Sequence, residues 1–345
     1  MAYYGVLEDV QKCIDLQEPA RMPMFAMSEE FDVRMAGMIY EDFCQDADKV
    51  FECQKLVVEE FGYDWCWLQI DDCIEFEVLG VGCKGSGNVL RATCNYLPAD
   101  PSTLKGLRMP DFSREGRFPM LLEAIRKCKE HYGDTMCVVG RTAAPFSSAA
   151  LLYGISETML MLIDNPDLLH ATMEYFAELQ TQFGLAQIRA GADAIWLGDC
   201  CASSDFISPA QFREFASPYA KRVGQNYQMN GGWTFYHASE YRPSHLAIMA
   251  DLGFSVLSVS ERVDIREAMQ VVEGKVCLMG NLDPIEVLEN GTPELVASES
   301  KRILSTAGGA GFLFDSGEMI PRDTPEENMK ALADSVQQYN ESRSG

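Results

Sequence analysis

The sequence predicts an α/β fold: a single (β/α)8 TIM barrel occupying residues 1–345 as one domain. Three observations carry that expectation. Short apolar runs rich in β-branched and aromatic residues alternate with helical stretches of ten or more residues, the pattern of a parallel sheet. Eight such runs occur, and several stop abruptly at polar or ionisable residues, as barrel strands do at the end that carries function. No GxGxxG stands directly at the end of any of them, which removes the usual reason to prefer a doubly wound open sheet.

Residues 6–17 have helical spacing and form an N-terminal helical extension. Arg21–Met27 reads as the first strand, with Pro23 near its start, where a missing N–H is tolerated. Ser28 can cap the next helix, with Glu29 and Glu30 in its first turn, and a second helix is expected near 46–62. Trp67–Ile70 is the second strand and ends at Asp71-Asp72. Residues 80–119 are rich in Gly, Pro and Asn and too long for an ordinary connection, so they form an enlarged excursion beside the site. Phe118–Tyr132 is helical, Met136–Val139 ends at Gly140-Arg141, and a long helix covers 167–189. Ala194–Leu197 ends at Gly198-Asp199-Cys200-Cys201, and Ser208-Pro209 opens a helix. Trp233–His237 follows, then Phe254–Val259 ending at Ser260-Glu261, and Lys275–Met279 ending at Gly280-Asn281-Leu282-Asp283. Gly311–Phe314 ends at Asp315-Ser316, and Pro325 opens the last helix.

A formal net charge of −24 argues against a nucleic-acid surface, because phosphate binding needs clustered Lys and Arg; solubility explains the charge. No apolar run reaches the roughly 18 residues of a membrane span, and Glu8, Asp9 and Asp15 do not suit a signal peptide, so a cytoplasmic protein is expected. Twelve cysteines without a CxxC pair point to reduced thiols, most of them small buried hydrophobes.

The run Trp233–Glu240 is the strongest local signal. A β-favouring aromatic stretch ends in His237, one of four histidines, with Glu240 three residues on. His237 is a candidate metal ligand or acid/base, against a structural hydrogen bond at a rim. Glu240 is a candidate catalytic carboxylate or ligand, against a helix cap. Asp71 is a candidate catalytic acid whose pairing with Asp72 could raise one pKa. Asp199, Glu261, Ser316 and Arg141 are candidate substrate-binding residues, and Cys277 a candidate metal ligand, although packing within its strand is the plainer reading. Trp196 and Trp233 read as core before substrate wall.

Several segments together resemble the uroporphyrinogen decarboxylase superfamily. They are Gly198-Asp199 with Ile207-Ser208-Pro209-Ala210-Gln211-Phe212, then Cys277–Pro284, then Ala307–Phe312 with Asp323–Asn328. Arg21–Met24 and Asp71 followed by Glu75, Glu77, Leu79 and Gly80 fit the same pattern, and the likeness runs in collinear order from about residue 20 to 340. The resemblance implies a (β/α)8 barrel and one of two chemistries. One is cofactor-free decarboxylation of uroporphyrinogen; the other is methyl transfer to or from a corrinoid protein, usually with zinc.

The decarboxylase branch has an arginine-rich segment after the first strand, where this chain has Ser28-Glu29-Glu30; its tyrosine falls at Leu151 and its late histidine at Ser316. Only Asp71 matches. The methyltransferase branch has a His-x-Cys after strand five and a Cys after strand eight; here these read His237-Ala238-Ser239 and Ser316. The resemblance therefore implies a cobalamin-dependent methyltransferase that does not methylate a thiol. It would move a methyl group from a small methylated substrate, such as a methoxylated aromatic, methylamine or methanol, to a corrinoid protein. Zinc held by His237, Glu240 and Cys277, or an acid, would assist the leaving group. A corrinoid protein is the expected partner and a homodimer is compatible with the fold. A uroporphyrinogen-decarboxylase-like lyase is the alternative.

Overall fold

The computed structural model describes residues 3–343. Nine strands are present among the described residues: β1 Trp65–Trp67, β2 Gly82–Lys84, β3 Ala92–Cys94, β4 Cys137–Ala143, β5 Ala194–Gly198, β6 Trp233–His237, β7 Val256–Ser258, β8 Cys277–Leu282 and β9 Phe312–Ser316. Seven of them form one sheet in the order β1-β4-β5-β6-β7-β8-β9, every neighbouring pair parallel. Helices connect its strands, as right-handed crossovers between parallel strands require.

The expected first strand is not one. Arg21–Met27 makes a single bridge, Met24 to Phe314, because Pro23 lacks the donor a ladder needs. The segment nevertheless bonds to both edges of the sheet. Phe25 N donates to Phe314 O of β9, and Asp64 N, just before β1, donates to Met24 O, both at 2.9 Å. The second expected strand shifts from 67–70 to 65–67, and the segment 68–70 is buried but outside the ladder. β4, β8 and β9 run past their expected ends, to Ala143, Leu282 and Ser316. Arg141 consequently lies within β4 and not beyond it.

The excursion between β1 and β4 holds the two-stranded hairpin β2–β3 and a short helix, Pro101–Gly106. Two arginines fasten it. Arg117 grips Asp71 with Nη1–Oδ2 2.7 Å and Nη2–Oδ1 2.8 Å, and its Nε meets Glu77 at 2.7 Å. Arg91, in the turn before β3, meets Glu77 at 3.0 Å.

The interior enclosed by the curled sheet is aromatic. Phe25 stacks on Trp65 at 4.6 Å, Trp65 on Trp67 at 5.5 Å, and Trp67 meets Trp196 edge-on at 5.5 Å. Register carries this column to the site: Ala143, Gly198, His237 and Ser258 are successive partners across β4 to β7, so one level of the sheet ends there. Among the described residues no single helix is long and apolar enough to cross a membrane.

Candidate active site

At the carboxyl end of the strands lies a cavity of about 170 Å³. Trp67, Trp196, Met27, Met319, Leu151 and Ala143 form its apolar wall. The polar wall is His237, Glu318, Cys200, Ser147, Gln69, Asp72 and Arg141. A mostly apolar cavity with a few convergent polar groups is the expected form of a small-molecule site.

His237 ends β6 and is buried. Its ring stacks on Trp196 at 5.0 Å, and Nδ1 is 3.0 Å from Ser258 Oγ. Nε2 is 3.3 Å from Glu318 Oε2 and 3.3 Å from Ser239 Oγ. Ser239 has φ +51°, and this left-handed residue turns the chain back toward the imidazole. Its hydroxyl also donates to Cys200 Sγ at 3.4 Å. Burial alone would lower the imidazole's pKa, but the Glu318 carboxylate and the Cys200 sulfur lift it well above the usual histidine range. Glu318 answers in the opposite sense: burial raises its pKa, and His237 outweighs this to leave it lowered. The pair is therefore an imidazolium and a carboxylate at neutral pH, with Glu318 Oε1 buried and without a donor.

Glu318 has no strand to announce it. It sits in the turn after β9, 81 positions from His237 in the chain (318 − 237), and Gly317 makes the turn fit. A Cβ at Gly317 would stand 2.3 Å from Glu261 N, so only glycine lets the two loops touch. The signal in the sequence was the Gly-Glu pair closing on a strand end.

The remaining expected residues separate into three groups. Arg141 does line the cavity; its Nη2 meets Asp72 at 3.0 Å and its Nη1 meets the buried Glu75 at 2.8 Å. Asp199 lies just behind, accepting from Ser147 N, Ser147 Oγ and Tyr236 Oη at 2.8–3.1 Å. Burial pushes its pKa up to about 6 against those donors. It fastens the β5 turn to β6 and to the helix Pro145–Tyr153, and so positions Cys200 and Cys201 at the cavity.

Asp71, Glu240, Glu261 and Ser316 do not line the cavity. The anticipated Asp71–Asp72 pairing is absent, because each carboxylate turns to its own arginine: Asp71 to Arg117, Asp72 to Arg141. Glu240 is fully buried and saturated, accepting from Ser204 N, Ser204 Oγ, Tyr241 N and Arg242 N at 2.6–2.8 Å. It folds the loop after β6. Glu261 accepts from the neighbouring Ser260 Oγ, and Ser316 donates to Asp315.

Cys277 is farthest from its expected role. It begins β8 at the amino end of the sheet, level with Phe235, two residues below His237, and its buried thiol donates weakly to Leu278 O. Burial raises that thiol's pKa, which opposes the thiolate a metal needs. Thus His237, Glu240 and Cys277 do not converge. Among the described residues no three His, Cys, Asp or Glu side chains are arranged to hold a metal ion. Glu240→Ala is expected to lower the unfolding free energy by about 1–3 kcal/mol in urea denaturation, because backbone N–H groups lose their acceptor. Neither Glu240→Ala nor Cys277→Ala is expected to change the metal content of the purified protein.

A family model described as uroporphyrinogen decarboxylase (URO-D) matches residues 8–339. The methylcobamide:CoM methyltransferase MtbA of Methanosarcina acetivorans is 27% identical over 347 residues, covering 98% of this chain and 99% of that one. A uroporphyrinogen decarboxylase of an Anaeromyxobacter species is 25% identical over 342 residues, covering 92% of this chain and 95% of its own. A solved methyltransferase from Methanosarcina mazei superposes with a TM-score of 0.88 at 23% identity, covering 97% and 98% of the two chains.

Proposed function

Because the chain belongs to the uroporphyrinogen decarboxylase family, and resembles its cobamide-linked methyltransferases from end to end, we propose that it is a corrinoid-dependent methyltransferase. It takes a methyl group from a small methylated donor, a methyl ether, methylamine or methanol, and passes it to a corrinoid protein. The carrying observation is the His237–Glu318 pair at 3.3 Å in the wall of a cavity too small for a macrocycle. Pockets for drug-sized ligands run from about 300 to 1,000 Å³.

The residues assign the work as follows. The corrinoid, held by its own protein, supplies Co(I) as the nucleophile that takes the methyl group. Met27, Trp67, Trp196 and Met319 hold the donor and keep water from it. An oxygen leaving group gains negative charge as its bond to the methyl breaks, and His237 delivers a proton to it from Nε2. Ser258 fixes the ring through Nδ1, and Glu318 keeps the proton on the imidazole until it is needed. The exposed Cys200 and the half-exposed Asp72 lie at the open side of the cavity, from which a corrinoid partner would approach the donor.

Zinc belongs to the family's usual scheme, and the donor set here does not fit it. Both ring nitrogens of His237 already have partners, Glu240 is saturated, Cys277 is remote, and positions 239 and 316 are serines. No step is routed through a metal. Methyl transfer to cob(I)alamin is expected to survive dialysis against a chelator with less than about a twofold loss. An inactivated protein restored by added zinc would reject the acid mechanism and keep the methyltransferase.

The decarboxylase alternative loses its one matching residue. Asp71 would have to grasp pyrrole N–H groups, but both its oxygens are committed to Arg117, and Oδ1 also to Cys73 N. The twelve cysteines are free thiols, which suits work in the reducing cytoplasm.

A further inference from the structure

Away from the cavity, thiols meet in places that methyl transfer does not use. Cys66 hydrogen-bonds with Cys128, and both are fully buried, beyond the reach of a solute. Cys73 hydrogen-bonds with Cys83, and here the surroundings differ: Cys73 is buried, but Cys83 stands half-exposed on β2. The backbone brings the two together. Phe76 N and Glu77 N both donate to Cys73 O at 2.9 Å, and Val81 N donates to Phe76 O at 3.2 Å. Gly80, at φ +94°, turns the chain there, and β2 then carries Cys83 back to Cys73. Cys73 itself lies between Asp72 and Glu75, the two carboxylates that hold Arg141 in the cavity wall.

From this geometry we infer that Cys73 and Cys83 are a dithiol that a small-molecule disulfide oxidises to a disulfide bond, fastening the β2–β3 hairpin to the segment after β1. The inference goes beyond the methyltransferase reading and does not depend on it. Cys83 reacts first, because it is the thiol a solute can reach. Burial raises the pKa of both thiols, and at Cys83 the hydrogen bond from Cys73 and the Arg91 guanidinium oppose that rise, with Glu77 adding to it. The Cys83 thiolate attacks one sulfur of the oxidant, whose other half leaves as a thiolate. Cys73, losing its proton, then attacks Cys83 Sγ of the mixed disulfide and releases the second half as a thiol. Two protein thiols are oxidised by two electrons, and one small disulfide is reduced to two thiols. The product ties an excursion otherwise held by Arg91 and Arg117 to the carboxylates behind Arg141. In a reducing compartment the pair stays open.

The test treats the intact, reduced chain with oxidised glutathione, blocks the remaining thiols by alkylation, and maps peptides by mass spectrometry without reduction. A peptide pair joined through Cys73 and Cys83 is expected, together with a rise in Tm of about 4 °C, the worth of closing a loop of this length in a chain of this size. Dithiothreitol should reverse both. Cys83→Ser should lose the link and the rise together, whereas Cys128→Ser, which alters the buried pair, should keep them. Three results in the unaltered protein overturn the inference, whatever the variants do. The first is glutathione remaining on Cys83 with no link to Cys73. The second is a link from either cysteine to Cys44 or Cys94 instead, or no oxidation at all. The third is a Cys73–Cys83 link that leaves Tm unchanged or lower, which would mean that the bond fastens nothing.

Discussion

Replacing His237 with Gln is expected to lower methyl transfer from an ether to cob(I)alamin by about 10²–10⁴-fold, the usual worth of a positioned general acid. The variant should still fold, because glutamine keeps a polar contact to Ser258 and the buried ring contributes mainly its stack on Trp196. The pH dependence follows from the same pair. The folded-state pKa of His237 is raised, so the stability it contributes is fully present below about 6.5, the ordinary imidazole value, and is lost as pH rises through the raised value. Activity should follow the same limb: flat through neutral pH and falling on the alkaline side. Glu318→Gln removes the carboxylate that holds the proton and should move the fall to lower pH. A quaternary ammonium donor, whose amine departs neutral, should be far less sensitive to either change. Unaltered ether demethylation in the His237 variant would remove the acid from the mechanism.

The Asp71–Arg117 pair gives the second large effect, and it is structural. Asp71 is fully buried and Arg117 nearly so, joined by two short bonds, and Arg117 also reaches Glu77 and Cys44 O. Burial alone would pull the guanidinium's pKa down, and Asp71 instead raises it. Removing one partner of a buried pair leaves a charge without compensation, at a cost of about 3–5 kcal/mol. Asp71→Ala should therefore lose about that much stability in urea, and limited proteolysis should first cut within residues 80–119. The double change Asp71→Leu with Arg117→Met should recover most of the loss, since apolar replacement of a buried pair is often neutral. An Asp71→Ala protein as stable as the parent but inactive would instead return Asp71 to the catalytic role its position after a strand suggested.

These two residues show what was legible in the chain. Strand ends were readable because a buried strand is apolar until it reaches the site, so His237, Arg141 and Asp199 were found near the cavity. Their partners were not readable. Whether a strand-end carboxylate faces the cavity or turns away depends on which arginine reaches it. Arg117 comes from an excursion with no periodicity to fold by eye. Glu240 and Glu318 are both acids within three residues of a strand's last residue. One is consumed by four donors, two in its own loop and two from Ser204 in the connection after β5, and the other is delivered to His237 by the close approach at Gly317. Cys277 was misplaced for a simpler reason: β8 continues to Leu282, so a residue taken to approach the functional end starts the strand. The first expected strand failed at Pro23, yet its burial and its bonds to both sheet edges were what its composition promised.

The most direct test is an anaerobic assay of the purified, chelator-treated protein with cob(I)alamin and 2-methoxyphenol, followed by ultraviolet–visible spectroscopy and product analysis. Loss of the Co(I) absorption with one catechol formed per methyl transferred, abolished by His237→Gln, is the expected result. No change in the Co(I) spectrum with any methyl ether, methylamine or methanol, together with carbon dioxide release from uroporphyrinogen, would contradict it.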